Sequence, residues 1–151
     1  MSLLVITGPP GAGKSTVAAL VADRLPRSVL IEGDAFMAFL RQGAIEPWLP
    51  ESHAQNEIVV EATALATGLD ALDYAVLLPD VEVSVGRVMT RAEHGFRDEA
   101  AARKMHLEFA RCDIDPRHVV TNHTTAESAA DEIVDRWERG ELRLSAAAGS
   151  R

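Results

Sequence analysis

Cysteine is almost missing from this 151-residue chain, and aromatic residues make up only 5% of it. The single thiol, Cys112, excludes an intramolecular disulfide. Its helical spacing predicts a small core residue rather than a nucleophile. No apolar run approaches the ~20 residues that cross a bilayer. The first residues enter a predicted strand at once, which leaves no room for a signal peptide. A cytoplasmic protein without a membrane segment is therefore the expectation. Basic charge is also short, with 15 Lys and Arg against 23 Asp and Glu and a net charge of −8. That balance argues against a protein that tracks nucleic acid, because such affinity comes from clustered cations. The five histidines (His53, His94, His106, His118 and His123) show no H-x-x-x-H spacing and no cysteine partner, so zinc is not indicated. What the chain does have is apolar content, 47%. At this length a single domain buries roughly two-thirds of its unfolded surface. We place that domain at 1–144 and expect the small, polar 145–151 stretch to be a disordered tail.

One segment names a chemistry. Gly8-Pro9-Pro10-Gly11-Ala12-Gly13-Lys14-Ser15 fits G-x-x-x-x-G-K-[ST]. Leu3–Thr7 before it is a short apolar run, as a buried parallel strand requires. After it, Val17, Ala18, Val21, Ala22 and Leu25 recur at helical spacing, and Pro26 ends the run. Strand, glycine loop and helix together describe a phosphate cradle. Glycines let the backbone wrap an anion, so that successive N–H groups and the helix N-terminus face it. Gly8, Pro9, Pro10, Gly11, Ala12, Gly13, Lys14, Ser15 and Thr16 are the candidate nucleotide-binding residues. Lys14 is expected on the outer phosphates, and the Ser15 hydroxyl on Mg²⁺.

The rest of the pattern alternates short apolar runs with amphipathic stretches, which predicts an α/β fold with a parallel sheet flanked by helices. Ser28-Val29-Leu30-Ile31 reads as a second strand, followed by a helix from about Asp34 to Gln42. Ser52 and Gln55 read as a capping box for a helix reaching Gly68. Asp73–Leu78 is a strand. Asp80 caps a helix with an apolar face of Val81, Val85, Val88 and Met89, and Asp98 caps another running to about Arg111. His118–Thr121 is a short strand. Thr124–Glu127 offers a second capping box for the last helix, which reaches Arg139.

Ligands of doubly wound sheets sit beyond the carboxyl ends of the strands. Glu32 and Asp34 fall there, and a carboxylate so placed can orient a substrate hydroxyl and take its proton. Asp34 is the favoured base, the alternative being a plain helix cap. Arg87, Arg91 and Arg97 flank the polar loop 91–97. Arg91 is the candidate for stabilising a migrating phosphoryl group and Arg87 a candidate nucleotide contact. His94 reads as a surface residue. Trp48, Phe36 and Phe39 are divided between core and acceptor pocket, and Asn122 and His123 are weak candidates for meeting a base edge.

On the GPPGAGKST loop, the IEGDAF segment and the R-x-x-x-R pair of Arg87 and Arg91, the chain resembles the small P-loop kinases. These include gluconate kinase, shikimate kinase and chloramphenicol phosphotransferase, with the uncharacterised bacterial AAA-type ATPases of the same group. The resemblance implies a three-layer P-loop NTPase fold and transfer of the ATP γ-phosphate to a small-molecule hydroxyl with Mg²⁺. It also implies Asp34 as the acceptor-side carboxylate. One departure stands out: the family's third strand, which ends in a carboxylate and lies between the second and the first, has no counterpart before Asp73. Three outcomes are open. Ile58–Glu61 could be that strand, giving five. The second strand could close up beside the first, giving four in the order 2-1-4-5. Or the fold is completed by a partner chain, or the chain is a compromised deletion form; with the third strand absent, an exposed sheet edge invites pairing as a homodimer. Two other functions compete: a nucleotide binder whose kinase chemistry has lapsed, and a nucleoside monophosphate kinase. The latter needs phosphate-clamping arginines, and only Arg41 lies between Asp34 and Gly68.

Overall fold

The computed structural model describes residues 3–40, 42–45, 49–58, 72–90, 96–121 and 124–144, with only the backbone of Asp34, Phe36 and Ala38. Among these residues the sheet has three parallel strands in the order β1 (Leu3–Thr7), β2 (Leu72–Leu77), β3 (Val119–Val120). β1 and β2 pair along their length, from Leu3 opposite Leu72 to Thr7 opposite Val76, while β3 adds only Val119 and Val120 opposite Val76 and Leu77. Among the described residues four longer helices flank the sheet: α1 (Lys14–Arg24), α2 (Val81–Thr90), α3 (Glu99–Arg111) and α4 (Ala126–Glu138). No helix among the described residues is long and apolar enough to cross a membrane.

Ala75, Val76 and Leu77 are consecutive and all buried, as a strand covered on both faces requires. Around them Val17 and Val21 of α1 meet Ala130 and Ile133 of α4 in the main core, and Val85, Val88 and Ala102 form a smaller one between α2 and α3. The second edge of β2 is shared. At its start Leu142–Leu144 runs antiparallel to it, through Tyr74 N–H to Leu142 O (2.9 Å) and Leu144 N–H to Leu72 O (3.0 Å). At its end β3 takes over. Between the two, the buried His118 donates from Nδ1 to Tyr74 O (2.8 Å), so an imidazole fills a gap in the ladder.

Asp73 fixes that C-terminal return. Its carboxylate is fully buried and accepts from Trp137 Nε1 and Arg143 Nε, each at 2.9 Å. Arg143 is half exposed, so solvent screens its part, and the bond to Trp137 matters more. Asp73→Ala is expected to destabilise the domain by about 2 kcal/mol, mostly by leaving the indole N–H unpartnered. A urea titration followed by Trp emission checks this, with Asp73→Asn expected to lose less.

Several expectations change. Ser28–Ile31 is not a strand: Val29 is 85% exposed, and Leu30 and Ile31 are exposed with it. An apolar run becomes a strand only when a neighbour covers it, and none of the described residues does so. The described sheet therefore has neither four nor five strands, and the closed-up order 2-1-4-5 does not form within it. Ile58 is helical, in a segment 53–58, and Val59, Val60 and Glu61 lie outside the described residues. After Ile31 the chain takes a tight 3₁₀ helix, Gly33–Phe39, rather than an α-helix. Phe39 is exposed and not core. Gln55 does not reach back to Ser52. Its amide instead clamps Ile45, accepting from Ile45 N and donating to Ile45 O, both at 2.8 Å. Cys112 is exposed at the end of α3, not packed in the core. The last helix is capped by Thr125, which accepts from Ser128 N, one residue later than the Thr124–Glu127 box. The tail 145–151 lies outside the described residues.

Candidate functional site

The loop between β1 and α1 is shaped by three glycines with left-handed backbone: Gly8 (φ 148°), Gly11 (φ 78°) and Gly13 (φ 92°). Ala12 N–H closes a turn onto Pro9 O at 3.2 Å, and Val17 N–H onto Gly13 O at 3.0 Å starts the helix. Gly11 lies hard against α2: a Cβ there would stand 2.1 Å from the Ser84 carbonyl oxygen. The Lys14 ammonium folds back over the loop, donating to Gly8 O (3.0 Å) and Pro9 O (3.1 Å).

The start of α1 differs from the other three long helices. Asp80 accepts from Glu82 N (2.8 Å), Asp98 from Ala101 N (2.9 Å) and Thr125 from Ser128 N (3.1 Å), so α2, α3 and α4 have side-chain caps. At α1 the N-cap is Gly13, which makes no side-chain cap hydrogen bond. A helix start with a glycine cap, beside a lysine, is the arrangement that receives an anion. Ser15 and Thr16 are exposed on that turn. Arg87, in the last turn of α2, reaches the same place, with Nη1 3.5 Å from Gly11 O.

Beside the loop is a cavity of about 440 Å³, lined by Gly13, Thr16, Arg87, Thr90, Thr121 and Thr125 over a floor that includes Leu77 and Val120. It opens where β2 and β3 end, at the carboxyl edge of the sheet, and its volume suits a small ligand. Two contacts hold the far wall. Arg103 forks onto Glu82 (2.5 and 3.0 Å) and also reaches Glu99 (3.3 Å), tying α2 to α3. Hydrogen bonding from Arg103 holds the exposed Glu82 carboxyl below its ordinary range. The buried His106 donates from Nε2 to Pro79 O at 2.7 Å, pinning the turn that enters α2.

The structure thus brings Gly8, Pro9, Pro10, Gly11, Ala12, Gly13, Lys14, Ser15, Thr16 and Arg87 into one region. Glu32 is exposed and precedes the 3₁₀ turn, and Arg97 is exposed just before α3. The Asp34 side chain, Arg41, Trp48, Arg91, His94, Asn122 and His123 lie outside the described residues, as does the Phe36 side chain. Among the described residues no three His, Cys, Asp or Glu side chains converge on a metal site. Mg²⁺ fits such a place nonetheless, because it keeps several waters and leans on substrate phosphates plus one or two protein oxygens. The exposed Ser15 hydroxyl is the protein oxygen at hand. Sequence reasoning missed Thr90, Thr121 and Thr125 as cavity walls. Their only signal was position, at the end of α2, after β3 and at the start of α4.

No protein-family profile matches the chain. No curated protein matches it either. Among solved structures, the chain is similar to the unliganded crystal structure of a sugar kinase from a Janibacter species. The likeness has a TM-score of 0.57 at 19% identity and covers 89% of this chain and 93% of that one. At that identity the likeness is one of fold: a kinase-like α/β architecture with a parallel sheet and flanking helices.

Proposed function

We propose that the protein is a phosphotransferase that moves the γ-phosphate of ATP to a hydroxyl of a small molecule. The observation that carries this is the uncapped start of α1, with Lys14 folded across the glycine loop and a cavity of about 440 Å³ alongside. In this reading the phosphate chain lies along Gly8–Thr16 and the nucleoside occupies the cavity between Arg87, Thr90 and Thr125. Lys14 and Arg91 balance the charge of the migrating group, and Asp34 orients the acceptor hydroxyl and takes its proton. Ser15 would hold Mg²⁺, which would supply neutralisation of phosphate charge. The likeness in fold to the Janibacter sugar kinase supports a sugar or sugar-like alcohol as the first acceptor class to try.

A second reading, a nucleotide binder without transfer, is favoured by one observation. The segment that leads into Glu32 and Asp34 is exposed and outside the sheet. Incubation with γ-labelled ATP, Mg²⁺ and a panel of sugars and polyols separates the two. Label on an acceptor supports the enzyme. ATP binding by calorimetry, with no label transferred to any acceptor or to water, supports the binder.

A further inference from the structure

The exposed run Ser28-Val29-Leu30-Ile31-Glu32 has the chemistry of a strand and, among the described residues, no strand to pair with. We infer that it pairs with the same run of a second copy, as an antiparallel two-stranded ribbon about a twofold axis. Three observations carry this. The run is extended into Glu32 (φ −83°, ψ 113°), and no backbone hydrogen bond joins Val29, Leu30 or Ile31 to another described residue. Its start is already held, since the Ser28 hydroxyl donates to Ala22 O at 2.8 Å, which limits the entropy lost on pairing. Its charge suits its own kind: Arg27 at one end and Glu32 at the other cancel, in a chain whose net charge of −8 makes two copies repel elsewhere.

Symmetry narrows the register. Facing side chains in an antiparallel pair share a face, so a twofold ribbon must centre on one residue and its own copy. Centring on Leu30 sets Leu30 against Leu30, Val29 against Ile31 and Ser28 against Glu32, and brings Arg27 to within one residue of the other copy's Glu32. Centring on Val29 instead puts Arg27 against Ile31 and draws Pro26, which has no N–H, into the ladder. Symmetry and side-chain chemistry favour the Leu30 register. The ribbon is small beside the ~1,200–2,000 Å² of a standard interface, so the dimer is expected to dissociate at micromolar concentrations. This inference is independent of the nucleotide reading, because it concerns association alone.

Sedimentation equilibrium between about 10 and 500 µM reads the association directly. Leu30→Lys and Leu30→Glu each place like charges face to face at the axis and are expected to raise the dissociation constant at least ~10-fold. Leu30 is exposed, so both variants should unfold at the parent's urea concentration. Mixing the two in equal amounts opposes Lys to Glu and is expected to restore association. A parent that stays monomeric overturns the inference. So do single variants that associate like the parent, or a mixture of folded variants that stays monomeric.

Discussion

Lys14→Ala is expected to leave a folded domain that no longer transfers phosphate, with the rate down about 10³-fold, which is turnover effectively abolished. The Lys14 ammonium is already at the phosphate loop. It sits on Gly8 O and Pro9 O, directly over a backbone curled by left-handed glycines and beside the open end of α1. In a partly screened site, one unit charge about 4 Å from another is worth about 4 kcal/mol, and the outer phosphates carry several. The glycine loop and helix end supply only partial charges, so they cannot replace it. Loss of the two carbonyl contacts affects stability by only about 1 kcal/mol. Lys14→Met, which keeps the aliphatic stem, separates that packing effect from charge. The same variants should lose the thermal stabilisation that saturating ATP confers on the parent, about 2.7 kcal/mol at a hundredfold excess over Kd. Two assays are needed: ATP binding by calorimetry, and transfer to whichever acceptor the panel identifies. If Lys14→Ala transfers at the parent rate, the phosphate-loop mechanism is wrong.

How much of this was legible in the sequence depends on how local each feature is. The loop could be read because its parts are adjacent: three glycines and a lysine within Gly8–Lys14, behind an apolar run and ahead of a helical one. The caps at Asp80 and Asp98 could be read for the same reason, each bonding a backbone N–H two or three residues on. Asp73 could not. In sequence it only opens a strand, yet its partners Trp137 and Arg143 are 64 and 70 residues away. His118 looked like the first residue of a strand and proves to be a side chain mending the ladder at Tyr74. Ser28–Ile31 failed in the opposite direction. Its composition asks for a strand, but strand formation requires a neighbour, and among the described residues β1 pairs only with β2. A strand's fate thus depends on the neighbour that covers it, which no local pattern reports. The acceptor half of the candidate site hangs from that same run, through Glu32 and the 3₁₀ turn at Gly33–Phe39.

Gly11→Ala is expected to destabilise the domain strongly, by about 2–5 kcal/mol, and Gly13→Ala shows why. Both glycines have left-handed backbone, φ 78° and φ 92°, so each substitution carries a conformational penalty of about 1–2 kcal/mol. They differ in what the new Cβ meets. At Gly13 the nearest heavy atom is Arg87 Nη1 at 3.7 Å, an ordinary contact with the movable end of a side chain. At Gly11 it is the Ser84 carbonyl oxygen at 2.1 Å, with Ser84 C at 2.8 Å, all backbone of α2. That atom cannot swing aside. Relief requires the loop and α2 to part, and α2 is held to α3 by Arg103 and built into the Val85–Val88–Ala102 core. Overpacking of this kind adds about 1–3 kcal/mol to the conformational term. Against a total stability of about 5–15 kcal/mol, Gly11→Ala should unfold at much lower urea, while Gly13→Ala loses only the conformational penalty. Paired urea titrations of the two variants decide the matter. If both lose the same amount, the loop is not braced on α2, and the cavity wall formed by Arg87 and Thr90 is not fixed relative to the phosphate cradle.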